Sequence, residues 1–146
     1  MTYVMRMSTD REVVDATVDR SWHPIAGNYQ WDAIEPGGIN IPGGATIIVI
    51  AHGNNEEIGN HHPGTVDIDA AAFLALIYFN MAAGASPARI FIHACAKDIA
   101  GFTAHVSLLA EQNDIWSNTR IFGHTDPAPP NVPPYSEKSR DWTEIY

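Results

Sequence analysis

Thr46-Ile-Ile-Val-Ile-Ala-His-Gly53 and Arg89-Ile-Phe-Ile-His-Ala-Cys95 are the two stretches that decide the fold of this chain. Each is a short run rich in β-branched and other apolar residues, the pattern of a buried strand. Each ends on a chemically able residue, a histidine in the first and the only cysteine of the chain in the second. Between them, a polar loop over residues 54–67 carries Glu56, Glu57, His61, His62 and Pro63. A helix is expected over residues 69–83, with Asp69 as N-cap, Ala70 to Leu76 as strong helix formers, and Gly84 and Pro87 as its stop. A second helix, over residues 99–112, shows an apolar stripe of Phe102, Val106, Leu109 and Ala110. A third strand, over residues 119–123, runs into His124. The order β-α-β-α-β predicts right-handed crossovers and a parallel sheet, with any site beyond the carboxyl ends of the strands. Those ends are His52-Gly53, Cys95 and His124.

Outside residues 45–125 the pattern is weaker. Residues 2–7 suit a strand, and residues 11–20 fit either a strand or a short helix. Residues 21–44, with Trp22, Tyr29 and Trp31 among prolines and glycines, predict an irregular aromatic-anchored region with room for a hairpin. Residues 126–146 are proline-rich and then polar, and predict a surface wrap docked through its aromatics. The 146 residues suit one domain, and a hydrophobic fraction of 45% supplies a core. Eight basic against 17 acidic residues give a net charge of −9, which argues against nucleic acid and anionic membranes as partners. No apolar run reaches the roughly 18 residues that span a bilayer. Met1 to Asp10 hold no apolar secretion segment. The expectation is therefore a cytoplasmic protein, or one delivered without a visible signal peptide.

One cysteine excludes an internal disulfide and a cysteine-rich zinc site. A lone cysteine is ordinarily a small buried hydrophobe; its position beside a histidine at the same sheet edge makes it a candidate nucleophile. A thiol at neutral pH is only a few per cent thiolate, so the chemistry needs a proton acceptor within reach. It also needs backbone N–H groups for the oxyanion. His52 followed by Gly53, set against Ala94-Cys95, supplies that minimal set.

Cys95 follows His52 by 43 residues, room for one loop, one helix and one turn. The pair of motifs Ile47-Ile-Val-Ile-Ala-His-Gly53 and Ile90-Phe-Ile-His-Ala-Cys95 resembles the caspase-like (clan CD) cysteine peptidases, in which the histidine lies about 50 residues upstream of the cysteine. The resemblance covers residues 45–125. It implies a caspase-like three-layer α/β/α sandwich with a mostly parallel central sheet. It further implies a cysteine endopeptidase acting on a polypeptide substrate without a cofactor, although some relatives need calcium to become active. Cys95 would be the nucleophile, His52 the catalytic histidine, and the N–H groups of Gly53 and Cys95 the oxyanion hole. The family works as a dyad, so no orienting carboxylate is called for. His93, two residues before the cysteine, would line the substrate pocket, and Asp126 could add a carboxylate to it. Caspases continue Cys-Arg/Gln-Gly where this chain has Cys95-Ala-Lys-Asp98, which leaves a catalytically inactive interaction or effector module as the alternative. A third reading is a metal-dependent hydrolase built on His52, His61, His62 and His124. The loop histidines match no closed zinc motif, so no metal site is assigned.

Overall fold

The computed structural model describes residues 1–62, 64–95, 99–125, 128–137 and 141–145. The first of the two apolar runs is β3 (Thr46–Gly53) and the second is β6 (Arg89–Cys95). They lie together at the centre of an eight-stranded sheet. They pair in parallel over seven positions, from Thr46 opposite Arg89 to His52 opposite Cys95. β1 (Thr2–Arg6) joins β3 on one side, and β2 (Ile25–Tyr29) pairs with β1 at that edge, both in parallel. β7 (Arg120–Gly123) joins β6 in parallel, and β8 (Thr143–Glu144) closes the other edge antiparallel to β7. The fold is α/β, with a mostly parallel mixed sheet between two covering layers.

Alternation along β3 and β6 assigns the layers. Ile47, Val49 and Ala51 share a face with Ile90, Ile92 and Ala94. On that face lie α2 (Trp31–Ile34), α3 (Ala70–Asn80) and α4 (Ala100–Gln112), through Ile34, Phe73, Ile77, Phe102, Val106 and Ala110. Ile48, Ile50, Phe91 and Phe122 share the other face. It is covered by Val13 of α1 (Arg11–Val14), by Trp22 and by the C-terminal Val132 and Trp142. Phe91 is the hub of this second layer. It stacks on Phe122 with ring centres 4.3 Å apart and takes the edges of Trp22 and Trp142 at 4.8 and 5.0 Å. Trp22 Nε1 also donates to the Pro133 carbonyl at 2.8 Å. At the rim, Arg120 pairs with Glu137 and, at 2.5 Å, with Glu144, and Arg89 pairs with Glu137 at 3.0 Å. The C-terminal wrap is thus held by buried aromatics, with an ion-pair cluster outside them.

Several boundaries differ from the sequence expectation. Residues 25–29 form a strand parallel to β1, and not one arm of a hairpin, because the chain crosses through α1 before returning in the same direction. Residues 54–67 are not only loop: β4 (Glu57–Gly59) and β5 (Asp67–Asp69) make a short hairpin beside the end of β3. Gly59 is needed there, since it has φ +140° and a Cβ would lie 2.0 Å from the Val66 carbonyl oxygen. The helix expected over residues 69–83 starts as predicted, with the Asp69 side chain accepting from the Ala72 N–H at 2.8 Å. It ends early, at Asn80, whose amide donates to the Leu76 and Ile34 carbonyls at 2.9 and 3.0 Å. Met81 then bridges to Ile41. No helix of the described residues is long and apolar enough to cross a membrane.

Truncating Trp142 to alanine should remove the anchor of the wrap and lower the unfolding free energy in urea by about 3–5 kcal/mol. Glu144→Ala, which breaks only a solvent-exposed pair, should cost less than about 1 kcal/mol. Equal losses would contradict an aromatic anchor.

Candidate functional site

The carboxyl ends of β1, β3 and β6 are adjacent because those three strands are parallel neighbours. Register partners on parallel strands present their side chains to the same face. His52 and Cys95 are partners in the last rung of the β3–β6 ladder. Both belong to the face of Ile48, Ile50, Phe91 and His93, on the side of α1. They line a shared cavity of about 410 Å³ with Asp10, Glu12, His61 and His62. A neighbouring cavity of about 260 Å³ runs from the same two residues past Gly53 to Glu57 and Asp67 of the hairpin.

The side chain of His52 is 10% exposed. Its Nε2 lies 3.1 Å from Glu12 Oε2 and 3.5 Å from Asp10 Oδ2. A carboxylate can only accept, so Nε2 carries a hydrogen, and in the neutral ring Nδ1 is then the acceptor. The two acids come from the turn after β1 and the first turn of α1. Asn60 ties that turn to the hairpin: its Oδ1 accepts from Ser8 Oγ at 2.6 Å and from the Thr9 N–H at 2.8 Å. Asp10 Oδ2 accepts from the His61 N–H at 2.6 Å. Asp10, Glu12 and Asn60 were not singled out by the sequence, although the rule that found His52 and Cys95 covers Asp10 and Glu12. Asp10-Arg-Glu12 begins a few residues past the carboxyl end of the first strand and so falls at the same sheet edge.

Gly53 is a glycine for a packing reason. A Cβ there would come within 2.8 Å of Ile58 Cγ2 and 3.0 Å of the Glu57 carbonyl oxygen. The half-buried Cys95 thiol has its pKa pushed up, first by burial and then by the Glu12 charge. At neutral pH it is a thiol, the opposite of a preformed thiolate–imidazolium pair.

His93 shares the face of Cys95 but is roofed by the wrap. It is 2% exposed, and its Nε2 donates to the Pro129 carbonyl at 2.6 Å. Burial lowers its pKa to about 4, so it is neutral at physiological pH, and it lines neither cavity. His124 is buried beside it, with Nε2 2.9 Å from the Ala94 carbonyl oxygen. Of the four histidines in the metal-hydrolase reading, His52, His61 and His62 share a cavity and His124 stands apart from it. Asp126 lies outside the described residues. No family model, curated protein or solved structure matches the chain.

Two measurements follow from these shifts. His93 is neutral in the folded protein down to pH about 4, whereas in the unfolded chain it protonates below about 6.5. The unfolded state therefore binds the extra proton between those values. Stability present above pH 6.5 is lost as pH falls toward 4, by about 3 kcal/mol from this residue. His93→Gln should flatten that part of the pH profile of urea unfolding; an unchanged profile would reject it. Alkylation of Cys95 by iodoacetamide should show a pH midpoint above that of a free cysteine, and a midpoint below it would contradict the buried, acid-flanked thiol.

Proposed function

We propose that this chain is a cysteine hydrolase acting on peptide bonds of a polypeptide substrate, of caspase-like type, with Cys95 as nucleophile and His52 as general base and acid. The observation that carries it is the in-register pairing of His52 with Cys95 at the carboxyl end of β3 and β6, opening on one cavity. His52 Nδ1 takes the thiol proton as Sγ bonds to the carbonyl carbon, and the carbonyl electron pair moves to oxygen. The N–H groups of Gly53 and Cys95 are the oxyanion donors in this scheme. The C–N bond then breaks, and the proton on Nδ1 passes to the departing amine. Water attacks the thioester, gives its proton to Nδ1, and releases the acid as the proton returns to Sγ. Because the thiol pKa is raised, proton transfer has to accompany attack. Asp10 and Glu12 act as positioning residues that fix the tautomer of His52.

The raised thiol pKa also supports a second reading, a non-catalytic interaction module of the same fold. A cleavage profile against a peptide library separates the two. Cys95→Ala should lower turnover by about 10³-fold or more, and iodoacetamide should block the wild type to the same degree. Cleavage that survives both treatments rejects the cysteine mechanism, and no cleavage by the wild type favours the interaction module.

A further inference from the structure

We propose that Asp10 Oδ2, Glu12 Oε2 and His52 Nε2 form a site for a borderline divalent cation of the Zn²⁺ type, and that its occupancy switches the hydrolase off. The second half rests on the roles given to Cys95 and His52 above. The three ligand atoms all lie within 4.8 Å of one another. The histidine nitrogen is 3.1 and 3.5 Å from the two carboxylate oxygens. Four-coordinate zinc, with bonds of about 2.0–2.2 Å, sets neighbouring ligand atoms about 3.3–3.6 Å apart. The two distances from the histidine nitrogen are therefore already close to that span, with the carboxylate oxygens within 4.8 Å of each other.

Two further features point to a cation there. Among the described residues, His52 is the only basic side chain within 4 Å of the Asp10 or Glu12 carboxylate. Two negative charges thus share one buried imidazole, in a chain of net charge −9. More imidazoles stand at the mouth of the same cavity. His61 has its ring centre 5.7 Å from that of His52, and His62 follows it, both exposed and able to supply a fourth ligand. The His61 N–H donates to the same oxygen, Asp10 Oδ2, at 2.6 Å and holds that carboxylate in place, as outer partners of metal ligands do. A mixed imidazole and carboxylate set suits Zn²⁺ or Mn²⁺, whereas Ca²⁺ and Mg²⁺ favour all-oxygen ligands.

The switch follows from the tautomer. In the neutral ring without a cation, Nε2 carries the hydrogen and Nδ1 accepts. A cation on Nε2 forces the ring hydrogen to Nδ1, where the imidazole can only donate. It then has no lone pair for the thiol proton of Cys95, and attack stops.

The test is calorimetry on metal-stripped full-length Cys95→Ala, which removes the thiol as a ligand, titrated separately with ZnCl₂, CaCl₂ and MgCl₂. One equivalent of Zn²⁺ should bind. Adding Asp10→Asn or Glu12→Gln should weaken it by about tenfold or more. The Glu12 side chain is 60% exposed, so its replacement leaves the fold intact. No Zn²⁺ binding, or binding unchanged in both variants, overturns the site. Calcium bound as tightly as zinc overturns the choice of metal. In the wild type, Zn²⁺ at the concentration that fills the site should abolish peptide turnover, and EDTA should restore it. Turnover unchanged by filled sites overturns the switch. A chain that cleaves no peptide would fail the hydrolase reading, while the calorimetry still decides the metal site.

Discussion

The parallel pairing of β3 with β6 is the constraint on which the rest of this molecule depends. Seven rungs of backbone pairing place His52 opposite Cys95. The register is held by side chains on both faces. A slip of one residue would turn Phe91 out of the cluster of Trp22, Phe122 and Trp142 and drive it against α3 and α4. The same slip would send Cys95 to the face opposite His52. The aromatic hub in the second layer therefore sets the geometry of the strand ends, although it lies well below them.

The two covering layers contribute unequally to the site. The layer of α2, α3 and α4 fills the space beneath Ala51 and Ala94, and the start of α4 reaches the strand ends through the Gly101 N–H on Asn55 Oδ1 at 3.2 Å and the Ile99 N–H on the His124 carbonyl at 3.1 Å. The other layer shapes the cleft. The C-terminal wrap roofs His93 through the Pro129 carbonyl, while α1 and the turn before it bring Asp10 and Glu12 onto His52. The β4–β5 hairpin walls the remaining side and, through Asn60, fixes the turn that carries the acids. These acids have opposed effects. They orient the imidazole, yet the Glu12 charge helps keep Cys95 protonated. A resting ion pair is thereby disfavoured, and the thiol depends on His52 at the moment of attack.

Much of this was legible in the amino-acid order. The central strands announce themselves because they are buried on both faces and need uninterrupted apolar runs. α3 and α4 follow from the N-cap at Asp69 and the stripe of Phe102, Val106 and Ala110. The strand-end rule then delivers His52 and Cys95. β2, Ile-Ala-Gly-Asn-Tyr, was hidden because it is a half-exposed edge strand, partnered on one side only. β4 and β5 were hidden because each spans three residues, with Ile58 and Ile68 as the main buried contacts. The role expected of His93 depended on a roof made by residues more than thirty positions downstream, which strand alternation does not show. Asp10 and Glu12 could have been found by applying the strand-end rule to β1 as it was applied to β3 and β6.

The central claim, that the last rung of the β3–β6 ladder is a reacting pair, is tested most directly by trapping the acyl intermediate. The protein would be mixed with an activated peptide ester, quenched in acid and examined by intact and tandem mass spectrometry. The account predicts a thioester adduct on Cys95 in the wild type and its loss in His52→Ala. An adduct that forms equally well without His52, or none on Cys95 at all, would contradict it.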